Sequence, residues 1–441
     1  MALVVKNNMP AKNTLNQLEK NDKALAKSLK KAASGMRINS AEDDASGFAI
    51  SEKMLVQMRG LSQDIDNAQT GASMLKVAEG GLQSTVDIIS TLKEKVINAA
   101  NDTNTDADRA IIQKELDQAI DQIDDNANVQ YNGKIMLDGS HNNEVLSPGT
   151  KTVLVNESLS ASLDENDRLT ALTDFSGRSL GILRNSKIEI TYVREGETHM
   201  LVLDPVRNHS LNELFTSSVS QDGTPVDDAM ELAVSDEVGD DRMKEKVHTI
   251  RGNKAFIVTA KHSGLEGQIS GLTFNVVNKD GTLNRTANAI LNDFNEMIRA
   301  EDPSPDNALV FQVGTKANQS LKIGFSDMRA TALGLKSPDG TSLNITTQMK
   351  ANAAISVLDF AMQKALNLQT TIGSVESRMD YTLANLTTAN ENTTASESVI
   401  RDADMAKVMT EYAKNNVLSQ AAQSMLAQAN QSSSSVLSLL Q

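Results

Sequence analysis

The chain has 441 residues, no Cys and no Trp, an aromatic content of only 3% and a formal net charge of −15. The missing Cys excludes disulfides, thiolate metal sites and Cys nucleophiles, and so few rings exclude a base-stacking platform for single-stranded nucleic acid. The length exceeds what one hydrophobic core serves, so two or three domains are expected.

The run from Met1 to Asn13 has no long apolar segment and no small-residue cleavage site, so no secretory signal is expected. No apolar run approaches the ~18 residues of a membrane span, so no membrane insertion is expected. On those two facts alone the chain reads as cytoplasmic. From Leu15 the positions Leu15, Leu18, Asp22, Leu25, Leu29, Ala32 and Met36 step by three and four, which predicts a helix with a heptad seam. Asp22 is either a register-setting residue or the point where the seam tilts to solvent. Residues 1–40 hold eight Lys and Arg against two acids, but the lysines interleave with the apolar stripe and read as its solvated face rather than as a nucleic-acid site.

Gly35 and the polar loop Arg37–Gly47 end that helix, and another runs on through Met58. Stripes at Leu75, Leu82, Val86, Ile89, Val96 and Ala99, then at Ile112, Leu116, Ile120, Ile123 and Ala127, predict two further helices. The polar turn Asn101–Asp108 separates them, with Thr105 or Asp106 as the N-cap. After Gly133 the pattern changes. Lys187–Val193 alternates, Arg194–Glu197 turns the chain, and Met200–Leu203 returns, a hairpin signature. Ala255–Ala260, Leu272–Val277, Leu309–Val313 and Leu321–Phe325 also read as strands. The segment 141–306 carries 27 acids against 16 Lys and Arg, so it holds most of the negative charge.

Helix returns near Ala351, with a stripe at Leu358, Met362, Ala365, Ile372, Met379, Leu383 and Leu386. The last stretch is unusual: Asn415–Gln441 has no charged residue, yet Leu418, Ala422, Met425 and Ala429 keep helical spacing and Val436, Leu437, Leu439 and Leu440 follow. A helix that is amphipathic but uncharged on both faces expects cover on more than one side, from other copies of the same chain or, alternatively, as an internal core helix of a monomer. The expected fold is mostly α, a long antiparallel helical coiled rod built from both termini with a β-rich central insertion domain.

No catalytic constellation occurs. There is no HisGluxxHis helix, no phosphate-binding glycine loop and no GxSxG elbow, and the five histidines, His141, His199, His209, His248 and His262, lack ligand spacing and read as surface or loop residues. Neither a metal nor a cofactor is expected. Adjacent acids such as Asp43 and Asp44 read as solvated.

The run KSLKKAASGMRINSAEDDASGFAI (Lys27–Ile50) resembles the N-terminal signature of bacterial flagellins. NANVQYNGKIMLDG (Asn126–Gly139), Leu309–Gly334, Glu397–Lys407 and Met425–Gln441 resemble its further landmarks, so the similarity covers about 1–140 and 307–441. The resemblance implies a homo-polymer in a helical extracellular filament used for swimming, exported unfolded by the flagellar type III apparatus. Implied partners are an export chaperone, the filament cap and hook-junction proteins. Residues 1–44 and 400–441 would form inner-core helices that order on assembly, 45–140 and 307–399 a helical rod with a β-hairpin, and 141–306 a variable surface domain. The assembly interface would include Leu15, Leu18, Leu25, Leu29, Leu418, Met425, Leu437, Leu439 and Leu440. The last three also match a tail read by cytosolic innate sensors. In typical agonists of the animal Toll-like flagellin receptor an Arg and a Leu stand where this chain has Thr91 and Lys95, while the neighbouring acid is kept as Glu115; the resemblance therefore implies weak activation of that receptor. A hook-filament junction protein and a filament-displayed adhesin are the alternative readings.

Overall fold

The computed structural model describes residues 8–207, 209–216, 219–220 and 229–439, and of residues 216, 219–220 and 432–439 the backbone alone. Helix α1 (Met9–Ser34) starts at Asn8, whose side chain accepts the Ala11 N–H at 3.1 Å, and Pro10 sits in the first turn where its missing donor costs nothing. It ends at Gly35, left-handed at φ 71°, whose N–H bonds the Lys31 carbonyl. Helix α2 (Ala45–Ala100) is one continuous helix where two were expected, one running through Met58 and another marked from Leu75, and α3 (Asp106–Ala127) follows. Thr105 is the N-cap of α3 and exchanges hydrogen bonds with Asp108. The buried Arg109 reaches back to the carbonyls of Ala99 (2.8 Å) and Asn101 (3.1 Å), satisfying the end of α2.

The middle of the chain contains β1 (Gln130–Tyr131), β2 (Lys134–Ile135), β3 (Val153–Asn156), β4 (Lys187–Arg194), β5 (Glu197–Leu203), α4 (Glu213–Thr216), β6 (Val219–Ser220) and β7 (Met230–Ser235). Then come β8 (Glu237–Asp240), β9 (Lys246–His248), β10 (Ala255–Ala260), β11 (Ile269–Val277), α5 (Arg285–Leu291), β12 (Asn295–Ile298), β13 (Leu309–Gln312), β14 (Ser320–Ile323) and α6 (Ala330–Leu333). Two long helices close the chain, α7 (Gln348–Arg401) and α8 (Met405–Leu439). Long helices at both ends around a sheet-rich middle are the expected class.

By its own contacts the chain divides into two compact units, 1–69 with 312–319 and 381–441, and 70–311 with 320–380. In the second unit α2 buries Gly71, Leu75, Ala78, Leu82, Thr85, Ile89, Leu92, Val96 and Ala99, an unbroken alternation of steps of four and three. The facing column of α7 is Ala351, Ala354, Leu358, Ala361, Ala365, Leu368, Ile372, Val375 and Met379. Both have the 3.5-residue period of a left-handed coiled coil, and each fully buried Leu or Ile contributes ~1.5–3 kcal/mol. The helices run antiparallel, with Lys76 on Glu376 (3.7 Å), Gln83 on Gln369 (2.8 Å) and Lys93 on Asp359. Two stripe positions differ from expectation. Thr85 rather than Val86 enters the seam, its hydroxyl satisfied by the Gly81 carbonyl at 3.1 Å, and Ala361 rather than Met362 is buried.

Two four-stranded sheets, ordered β12-β3-β10-β7 and β11-β4-β5-β6, share one core. Phe256 of β10, Phe274 of β11 and Phe294 meet there with ring centroids 5.6–6.1 Å apart, surrounded by Leu154, Ile188, Ile190, Leu201 and Val276. The far face of β3 and β10 is covered as well, with Val153, Val155 and Ile257 packed on Val238, so β3 is buried on both sides. The β4–β5 hairpin turns on Glu195 and Gly196, both at positive φ, with Tyr192 opposite His199. His199, expected on the surface, therefore lies in a strand, stacked on Tyr192 at 5.1 Å. β11 begins three residues before the expected Leu272, across a bulge at Gly271. That glycine (φ 64°) faces α7 so closely that a Cβ would lie 2.5 Å from Val357 Cγ2 and 2.9 Å from the Ala353 carbonyl. Beside it Lys364 of α7 and Glu296 of β12 form a buried ion pair, 3.2 Å apart.

Candidate assembly surface

In the first unit α1 and α8 lie antiparallel, and their shared seam mixes aliphatic with small and polar side chains. From α1 it takes Thr14, Leu18, Asn21, Leu25 and Ser28; from α8 it takes Val408, Asn415, Ser419, Ala422 and Leu426. Asn21 donates to the Leu418 carbonyl (3.2 Å), Asn415 to the Ser28 hydroxyl (3.0 Å), and Ser419 to the Asp22 carboxylate (2.6 Å). Leu18 and Leu25 are half-buried there. Asp22 is exposed, at the solvent edge of the seam.

Other large aliphatic side chains of the pair point outward. Leu15 is 44% exposed, Leu29 53%, Leu418 41% and Met425 62%, and Met405, Met409 and Val417 are exposed with them. Among the described residues this unit holds twelve of the twenty-two exposed large hydrophobics, in less than a third of the chain. Scattered exposed leucines need no explanation, but such a concentration does. Leu437 and Leu439 fall in the last turn of α8 with their side chains outside the description, and Leu440 lies outside the described residues.

Where the helices turn, two sequence signatures meet. The Arg37 N–H bonds the Arg401 carbonyl (2.7 Å), the Ala403 N–H bonds the Gly35 carbonyl (2.9 Å), and the Arg37 guanidinium donates to the Ile400 carbonyl. Arg401 reaches Glu52 at 2.9 Å and lies over the Phe48 ring at 5.7 Å. Asp43 pairs with Lys27 at 2.7 Å, and the hydrogen bond from that ammonium, aided by the Asn39 N–H, holds its carboxyl down to about 2. The solvated reading is thus corrected for Asp43, which is half-buried and ion-paired; Asp44 is exposed and accepts the Gly47 N–H at 3.0 Å. Sequence reasoning found both segments without joining them, because a long-range pairing leaves no local periodicity.

A separate groove of about 250 Å³ lies on the second unit between α2 and α3. It gathers Thr91, Lys95 and Glu115 with Ile88, Leu92 and Ala119. Lys95 and Glu115 are ion-paired at 2.9 Å, and the Thr91 hydroxyl bonds the Asp87 carbonyl of its own helix at 3.0 Å. Among the described residues no group of three His, Cys, Asp or Glu is placed to hold a metal, and no helix is long and apolar enough to cross a membrane.

Residues 5–142 match the family model described as the bacterial flagellin N-terminal helical region, and residues 355–440 the corresponding C-terminal helical region. Over 97% of its length the chain is 33% identical to a flagellin of Clostridium tyrobutyricum, covering 99% of that protein. It is 28% identical to a flagellin of Bacillus subtilis, covering 99% of each. Among solved structures it resembles FliC from Burkholderia pseudomallei at 18% identity and a TM-score of 0.26, over 70% of this chain and 99% of that one.

Proposed function

The chain belongs to the bacterial flagellin family and is a subunit of the extracellular flagellar filament; on that premise we propose that α1 and α8 are its assembly element and that the filament serves swimming motility. The observation that carries this reading is the divided packing of the terminal pair, with Asn21, Ser28 and Ser419 buried beside a few aliphatic side chains while Leu15, Leu29, Leu418 and Met425 face outward. A monomer gains nothing from those outward side chains, whereas a polymer buries them between copies, at ~25 cal/mol per Å². Residues 1–44 and 400–441 form the inner layer, 45–140 and 307–399 the rod, and the acidic 141–306 the outer surface. Leu15, Leu18, Leu25, Leu29, Leu418, Met425, Leu437, Leu439 and Leu440 make the contacts. The chain travels unfolded through the type III apparatus with a chaperone and adds to the filament beneath its cap, above hook-junction proteins.

The groove with Thr91, Lys95 and Glu115 is the face offered to the animal Toll-like receptor. There Thr91 and Lys95 stand in place of the Arg and the Leu, and Lys95 is paired with Glu115, so activation is weak.

The test is seeded polymerisation followed by electron microscopy. The full chain should extend flagellar seeds, while a chain ending at Glu397 and the variant Leu15→Asp/Leu29→Asp should remain monomeric. Filament growth by the truncated chain would remove α8 from the mechanism, and growth by the double variant would remove the outer face of α1.

A further inference from the structure

The side of α1 turned away from α8 carries Lys12, Lys20, Lys23, Lys27 and Lys30, all exposed, with Glu19 as the one acid among them. Solvated helix faces ordinarily mix signs in i,i+4 pairs. This face carries five lysines to one acid, in a chain whose net charge is −15. Lys27 is engaged by Asp43; Lys12, Lys20, Lys23 and Lys30 make no ion pair among the described residues. In a polymer the stripe recurs in every subunit, so left bare it would repel itself along the whole assembly. The complement is also in the first unit. Glu391 on α7 and Glu411 on α8 are exposed and likewise free of ion pairs among the described residues.

We propose that the lysine stripe of α1 docks against the exposed carboxylates Glu391 and Glu411 of a second copy, so that electrostatic pairing sets which faces of neighbouring subunits meet. The inference rests on the filament reading and deepens it: the leucine flank supplies burial, and the stripe supplies orientation and encounter rate. Strongly positive faces on like subunits disfavour the symmetric contact of stripe on stripe and favour a head-to-tail one, which is the kind that propagates. Because these groups are exposed before docking, the effect is screened by salt.

The experiment measures elongation from wild-type seeds by the full-length chain at low and at raised NaCl. Wild type should slow several-fold as ionic strength rises. Lys12→Glu/Lys23→Glu/Lys30→Glu should lose elongation by about tenfold or more while keeping the far-UV helicity of wild type, since like charges are then brought face to face. The variant Glu391→Lys/Glu411→Lys should fail in the same way. The chain carrying all five reversals should again elongate on seeds of its own kind. Normal growth of the triple variant overturns the proposal. So does failure of the five-fold reversal to restore growth, since another partner then covers the stripe. Wild type that does not elongate at any salt concentration overturns the filament reading instead, before the stripe is tested.

Discussion

Lys364 is the most consequential charge in the interior of the second unit. Its side chain is 4% exposed and that of Glu296 is 7%, with the amine and carboxylate 3.2 Å apart and the Ala332 carbonyl 3.5 Å from the amine. Burial holds the ammonium below its ordinary value, against the raising influence of Glu296. Lys364→Met replaces the alkyl stem almost volume for volume but leaves the carboxylate buried and alone, which costs about 3–5 kcal/mol. Lys364→Met with Glu296→Leu removes both charges and should fall within about 1 kcal/mol of wild type, or above it, because the pair's attraction only roughly offsets its desolvation. Urea unfolding followed by circular dichroism reads the difference as a shift of midpoint at constant slope. If the single variant is as stable as the double, water reaches the pair in solution and the argument from burial fails.

Gly271→Ala should destabilise the same unit by about 2–4 kcal/mol, combining positive φ with a methyl forced against Val357 and the Ala353 carbonyl; an unchanged urea midpoint would mean β11 moves off α7 freely. Asp43 gives a pH dependence. Its carboxyl is depressed from 3.8 to about 2, so its pairing with Lys27 stabilises the joint fully above pH 4 and is lost as pH falls through about 2. Asp43→Asn should abolish that part of the acid transition in amide-exchange protection around Arg37 and Arg401. Asp64, buried in α2 with one carboxylate oxygen unpartnered, has its carboxyl raised by burial. Asp64→Leu should therefore stabilise the first unit by about 1–3 kcal/mol at neutral pH, a gain that shrinks as acid protonates the wild-type carboxylate. Thr91→Arg with Lys95→Leu should raise receptor signalling in reporter cells by about tenfold or more, each restored contact being worth ~2 kcal/mol; no gain would remove the groove from recognition.

The helices were legible because heptad periodicity is written locally. Leu75, Leu82, Ile89 and Val96 announce their seam without any knowledge of the partner, and they meet the equally regular Leu358, Ala365, Ile372 and Met379. The β4–β5 hairpin was legible for the same reason, its turn lying between the alternating runs. Three features were hidden. The two-sheet core brings β3 beside β10 and β12, strands about a hundred or more residues away in sequence, and no local pattern encodes such a crossing. Lys364 looks like any surface lysine until Glu296 is placed against it. The joint of Arg37 with Arg401 required the chain's ends to be brought together first.

The seam of α1 shows why periodicity predicts a helix better than it predicts the helix's partner. Leu15, Leu18, Leu25 and Leu29 share one heptad pattern, yet Leu18 and Leu25 lean on α8 while Leu15 and Leu29 face outward. An apolar stripe wider than one partner needs is divided between partners, and the residues that settle the division are polar. Asn21 and Ser28, unremarked in an apolar count, occupy the centre of the intrachain contact because the Leu418 carbonyl and the Asn415 amide are placed to satisfy them. Each buried amide or hydroxyl that finds its bond gives up aliphatic burial there, so the terminal pair gains less from its own closure than α2 gains from α7. In a filament subunit that weakness has a use: the pair's ordering then depends on the neighbours that cover its leucines, which makes folding of the termini and growth of the polymer one event.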